Sequence, residues 1–147
     1  NSNSETENRG KGMNALQAYQ QVNTQTSVTD ADPHRLIQLL LNGALERINM
    51  AKGRIESKDY AAKGNLIGKS IEIVSALKGS LDFEQGGELA GNLEALYDYI
   101  ERGLFEASVR NDPEKLEEMA SLLRTIKEGW EGIREEAVEF LKERDAS

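Results

Sequence analysis

The chain is 147 residues long with a formal net charge of −8, no cysteine and one histidine, a length that suits one domain around a single core. Its acidity argues against nucleic acid or an anionic membrane surface as partner, since both need clustered Lys and Arg to release counterions. Disulfides and thiolate metal sites are excluded, and no stretch approaches the roughly 18 apolar residues of a membrane span or the apolar core of a secretory leader, so a soluble cytoplasmic protein is expected.

Residues 1–12, NSNSETENRGKG, hold no aliphatic or aromatic side chain. They are expected to be disordered, either an expression remnant or a native tail ahead of Met13. Residues 13–31 form a lead into the domain. Within it ALQAYQQV (15–22) offers Leu16, Tyr19 and Val22 as a short amphipathic piece, tethered by the polar stretch NTQTSVTDAD. Three apolar residues cannot fold alone, but the tether keeps their effective concentration high, so a lid on the domain is expected.

The domain proper spans 32–147. Asp32-Pro33 and Asp112-Pro113 each set a capping carboxylate before a proline, which is tolerated at the first helical position because its missing N–H would be unpaired there anyway. In the first helix, to about Glu56, residues Ile37, Leu40, Leu41, Ala44, Ile48, Ala51 and Ile55 share a face. A second helix, starting near Ser57 or Asp59, carries Ile67, Ile71, Val74, Leu77 and Leu81. LDFEQGGE (81–88) reads as a loop. A third helix, about 88–110, aligns Leu89, Leu93, Leu96, Tyr97, Ile100, Leu104 and Ala107. The fourth aligns Leu116, Met119, Leu123, Ile126, Trp130, Ile133, Ala137 and Leu141. No alternating segment competes. Four amphipathic helices on short loops bury their stripes together as an all-α, antiparallel up-down-up-down four-helix bundle.

Some hydrophobes fall outside the stripes: Leu36, Leu39 and Leu45 on the first helix, Tyr99 and Phe105 on the third. They read either as surface covered by neighbouring helices or as a groove for an apolar partner. Catalytic constellations are scarce. One histidine, His34, and alanine at position 31 exclude the paired Glu-x-x-His motifs of a di-metal bundle. Zinc sites of the common kinds and Cys/His dyads are excluded likewise. His34, beside a proline in a first helical turn, reads as a solvated surface histidine. GNLIGKS (64–70) ends like a phosphate loop, but its first glycine is one residue too close and no strand precedes it. Trp130 reads as core. No metal, nucleotide or other cofactor is expected, and no enzymatic activity.

LEALYDYIERGLFEASVRND (93–112) resembles the third-helix signature of the flagellar secretion chaperones, the FliS family: Leu-Tyr-Asp-Tyr-Met, then Arg-Arg-Leu, then Glu-Ala-Asn and an Asn-Asp turn. LIQLLLNGALERI (36–48) is similar to that family's first-helix Leu-Tyr-Asp-Gly-Ala-Leu motif, and AYQQVNTQTSVTDADPHRL (18–36) resembles its tyrosine-bearing lead. The resemblance runs from about 15 to 141. Leu41 and Asn42 depart from the usual Tyr-Asp, Gly103 from the second Arg and Ser108 from Asn.

The resemblance implies a cytoplasmic export chaperone that binds the C-terminal segment of flagellin, prevents premature polymerisation and delivers it to the flagellar type III secretion apparatus without ATP. Carried onto matching positions, it implies partner contacts at Tyr19 in the lid, at Leu41, Gly43 and Leu45 in the first-helix motif and at Tyr97 and Tyr99 in the third, with Leu16 and Val22 flanking Tyr19. An export-gate subunit or another flagellar regulator is left open as a further partner. Two rivals from other classes remain: a structural adaptor or dimerisation bundle, and a histidine phosphotransfer module using His34.

Overall fold

The computed structural model describes residues 32–133, so the 15–22 lid, Ala137 and Leu141 lie outside the described residues. Four helices fill that span with no strand among the described residues: α1 Pro33–Glu56, α2 Tyr60–Gly79, α3 Phe83–Arg110 and α4 Pro113–Gly132. Each opens on an aspartate whose carboxylate accepts first-turn N–H groups that have no partner within the helix. Asp32 Oδ1 accepts from Arg35 N at 2.7 Å, Asp59 Oδ1 from Ala62 N at 3.2 Å and Asp82 Oδ1 from Gln85 N at 3.0 Å. Asp112 Oδ1 accepts from both Glu114 N and Lys115 N at 3.1 Å.

The stretch read as a loop at 81–88 is corrected by the third of these caps. Asp82 starts α3 at Phe83, and the helix bends at Gly87, whose φ of 52° and ψ of −123° suit glycine alone. Asn111 ends α3 in the left-handed conformation, and Asp112 N donates to Ala107 O at 2.9 Å, which turns the chain directly into α4.

Each helix packs on its sequence neighbour, and α4 closes the ring against α1. The antiparallel bundle buries Leu40, Leu41, Ala44 and Ile48 from α1, Ile67, Ile73, Val74 and Leu77 from α2, Tyr97, Ile100 and Leu104 from α3, and Leu116, Met119 and Leu123 from α4. Leu36, Leu39 and Leu45 are half-buried against this core, so part of the excess seen on the first helix is packing. The α3–α4 crossing is tight at Gly103. A Cβ there would overlap Met119 Sδ and lie 2.9 Å from its Cε and 3.0 Å from its Cγ.

Polar ties join the helices pairwise. Lys63 Nζ donates to Ser108 O at 2.7 Å, linking the start of α2 to the end of α3. Lys78 bridges Asp98 and Glu101 at 2.6 and 2.8 Å, and these bonds push its pKa up to about 12. Glu117 on α4 pairs with Lys52 of α1 at 2.7 Å and with Arg124.

His34 is a correction. It is fully buried rather than solvated, its ring stacked on Trp130 at 4.7 Å between centroids and 10° between planes. His34 Nε2 donates to Trp130 O at 2.7 Å, and Trp130 Nε1 donates to His34 O at 2.9 Å. Proximity to proline suggested exposure; the end of α4 supplied a partner that local sequence does not contain. A phosphoryl carrier must meet its donor at the surface, so this packing removes His34 from that role. Trp130 itself is half-buried, and the phosphate-loop lookalike at 64–70 runs inside α2, with Ser70 Oγ donating to Leu66 O at 3.0 Å.

Candidate partner-binding surface

Helix α3 is the place where folding leaves apolar relief unused. Among the described residues, five of the eight large exposed hydrophobics belong to it: Phe83, Leu89, Tyr99, Phe105 and Val109. Phe105 and Val109 are 63% and 65% exposed, one helical turn apart on the same side. Leu89, expected within the core stripe, is 61% exposed because it sits just beyond the Gly87 bend. Core burial concentrates instead on Tyr97, Ile100, Leu104 and Ala107.

Tyr97 and Tyr99 divide by helical phase. Tyr97 points inward, and burial pushes its phenol up to about 12. Tyr99 is 38% exposed on the α4 side, its hydroxyl donating to Glu118 Oε2 at 2.7 Å with Lys115 Nζ 5.7 Å from the ring centre. The bond to Glu118 raises the Tyr99 pKa and lowers that of Glu118. Tyr99 is thus an aromatic held in position on a wet surface, with an apolar face still available.

The other expected contacts are dispersed. Leu41 is fully buried. Gly43 sits on the α2 side of α1, where an added Cβ would lie 3.6 Å from Ile73 Cδ1. Leu45 lines a small concavity of about 120 Å³ on the opposite side, with Ile48, Asn49, Lys52, Ala120 and Arg124. Leu45 and Tyr99 therefore flank α4 from different seams, while Leu41 and Tyr97 are buried in the core. Leu16, Tyr19 and Val22 lie outside the described residues. Val109, the most exposed of the set, was missed. Its only sequence signal is its position four residues after Phe105, off the core stripe.

This helix also carries the signature stretch 93–112, and comparison with known proteins bears on it directly. The family model for the flagellar protein FliS matches residues 15–137. The chain belongs to the FliS family. It is 50% identical over 121 residues to the flagellar secretion chaperone FliSB of Pseudomonas aeruginosa, covering 82% of this chain and 96% of that protein. It is 42% identical to the flagellar secretion chaperone FliS of Salmonella typhimurium over 83% of this chain and 91% of that one. For the Bacillus subtilis flagellar secretion chaperone FliS, identity is 32% over 80% and 84%. The FliS family is one of chaperones and not of enzymes. No helix of the described residues is long and apolar enough to cross a membrane.

Proposed function

We propose that this protein is a cytoplasmic export chaperone that binds the C-terminal segment of flagellin, keeps it from polymerising and delivers it to the flagellar type III secretion apparatus. The observation that carries the reading is the concentration of exposed apolar side chains on α3, the helix bearing the family signature. A client that is disordered when free must bury a large apolar surface to offset its ordering entropy. The exposed apolar residues spread along α3, with Leu45 at the α1–α4 seam, suit an extended client lying across the bundle rather than a ligand in a single deep pocket. Filament growth buries the same amphipathic client helices against neighbouring subunits, so chaperone binding and assembly exclude each other.

In this reading Leu41, Gly43 and Tyr97 shape the helices beneath the client, whereas Leu45 and Tyr99 touch it and Leu16, Tyr19 and Val22 form a lid displaced by it. Calorimetry with a peptide of the flagellin C-terminal region tests the proposal. One-to-one binding is expected, weakened by Phe105→Glu or Tyr99→Glu while circular dichroism stays helical. Absence of heat with folded protein and its cognate peptide would leave a dimerisation or adaptor bundle as the better reading. Hydrogen exchange over 15–22 should change on peptide addition; identical protection would remove the lid.

A further inference from the structure

Phe105 and Val109, the most exposed large hydrophobics among the described residues, belong to one particular seam. At helical spacing they lie about 60° and 100° round α3 from Ser108. Asp98 and Glu101, which Lys78 of α2 holds, fall in the same strip, at about 80° and 20°. Phe105 and Val109 therefore stand on the α2 side of α3, whereas Tyr99 stands on the α4 side. The first turn of α2 meets this end of α3 with Tyr60 and Lys63. Lys63 is buried, and its Nζ donates to Ser108 O at 2.7 Å and to Ser108 Oγ at 3.4 Å while lying 5.8 Å from the centre of the Tyr60 ring. A single ammonium thus sets the Tyr60 ring, 45% exposed, beside the last turn of α3.

Ser108 O is one of the terminal carbonyls that a helix leaves short of partners, its bond from Asn111 N being 3.4 Å long, and positive charge is favoured at that end of a helix. Burying an ammonium nevertheless costs desolvation, which methionine at the same place would avoid. What the lysine adds is register between the aromatic edge of α2 and the exposed edge of α3. We propose that Tyr60 is a further client-contact residue, forming one apolar platform with Phe105 and Val109 across the α2–α3 seam, and that Lys63 is the positioning residue that holds the platform together. This assignment rests on the flagellin-chaperone reading. The occupant follows from continuity, because the platform is the C-terminal end of the same α3 surface given to the client. Residues 1–31 and 134–147 attach at the other end of the bundle, where α1 begins and α4 ends.

The test uses the full chain and a peptide of the flagellin C-terminal region, with calorimetry for affinity and NMR for position. Peptide should shift the signals of Tyr60, Phe105 and Val109 together. Tyr60→Glu, at an exposed position, should weaken the peptide at least about tenfold, whereas Tyr60→Phe should bind as the native protein does. Lys63→Met should weaken it several-fold while the melting midpoint stays native or rises, because the buried charge is gone but the register is lost. Hydrogen exchange of amides 107–110 should quicken in that variant without peptide. Lys63→Arg, which keeps the charge, the donors and the contact with the ring, should restore the affinity. Equal binding to the native protein and Tyr60→Glu overturns the platform and leaves the chaperone reading standing, whereas no binding to the native protein removes both. Native affinity in Lys63→Met, a loss that only follows its melting midpoint, or no recovery in Lys63→Arg makes Lys63 a structural tie and overturns its positioning role. If Tyr19→Ser alone moves the Tyr60 signals without peptide, the chain's own lead is the occupant and the proposal also fails.

Discussion

Replacing Gly103 by alanine opposes two effects whose balance the α3–α4 crossing decides. Glycine inside a helix is less favourable than alanine by about 1 kcal/mol, so propensity alone makes Gly103→Ala stabilising. The new Cβ, however, would overlap Met119 Sδ and crowd Cε at 2.9 Å and Cγ at 3.0 Å. Because Cγ is involved as well as the flexible tip, and Met119 is fully buried, relief requires a new rotamer or a shift of α4. Overpacking of this kind costs about 1–3 kcal/mol. The net expectation is a loss of about 1 kcal/mol, or roughly 2–4 °C in melting midpoint for a chain of this size. Urea unfolding of a four-member cycle with Met119→Ala provides the check. In the Met119→Ala background the clash is gone, and Gly103→Ala should then stabilise by about 1 kcal/mol. Gly64, which has open space where its Cβ would be, serves as control, and Gly64→Ala should stabilise by about 0.5–1 kcal/mol. A stabilising Gly103→Ala in the native background would refute the close-approach account.

Truncating a core side chain such as Leu104 or Leu123 to alanine should cost about 2–5 kcal/mol by denaturant titration. His34→Ala, which a solvated histidine would leave silent, should instead destabilise by about 1–3 kcal/mol and alter Trp130 fluorescence, because it removes the stacked ring and the bond to Trp130 O. Alkaline stability should fall between about pH 10 and 12. Lys78 and Tyr97 rise from 10.5 and 10.0 to about 12 on folding, so the stability they contribute is complete below the unfolded values and lost as pH climbs through the folded ones. Tyr97→Phe should flatten that decline, and an unchanged profile would contradict the burial of its hydroxyl. On the acid side Glu117 is lowered by its bonds to Lys52 and Arg124, so its contribution is present above the ordinary value of 4.5 and lost as pH falls beneath it. Lys52→Met should reduce that acid sensitivity.

Local chemistry was legible from sequence because its causes are local. Asp-Pro at 32–33 and 112–113 marked two helix starts, and helical spacing identified most of the residues that meet in the bundle. The family, too, was readable in the motifs of 36–48 and 93–112. Asp82 was obscured by Gly86-Gly87, since glycine lowers helix propensity without forbidding a capped turn before a bend. Periodicity assigns a residue to a helical face but not the distance at which another helix crosses it. Only the tertiary structure therefore buried His34 beneath Trp130, pressed Met119 against Gly103, left Leu89 outside the core and separated Leu45 from Tyr99. Each of those outcomes depends on atoms contributed from a distant part of the chain, and so on the angle and offset at which whole helices pack.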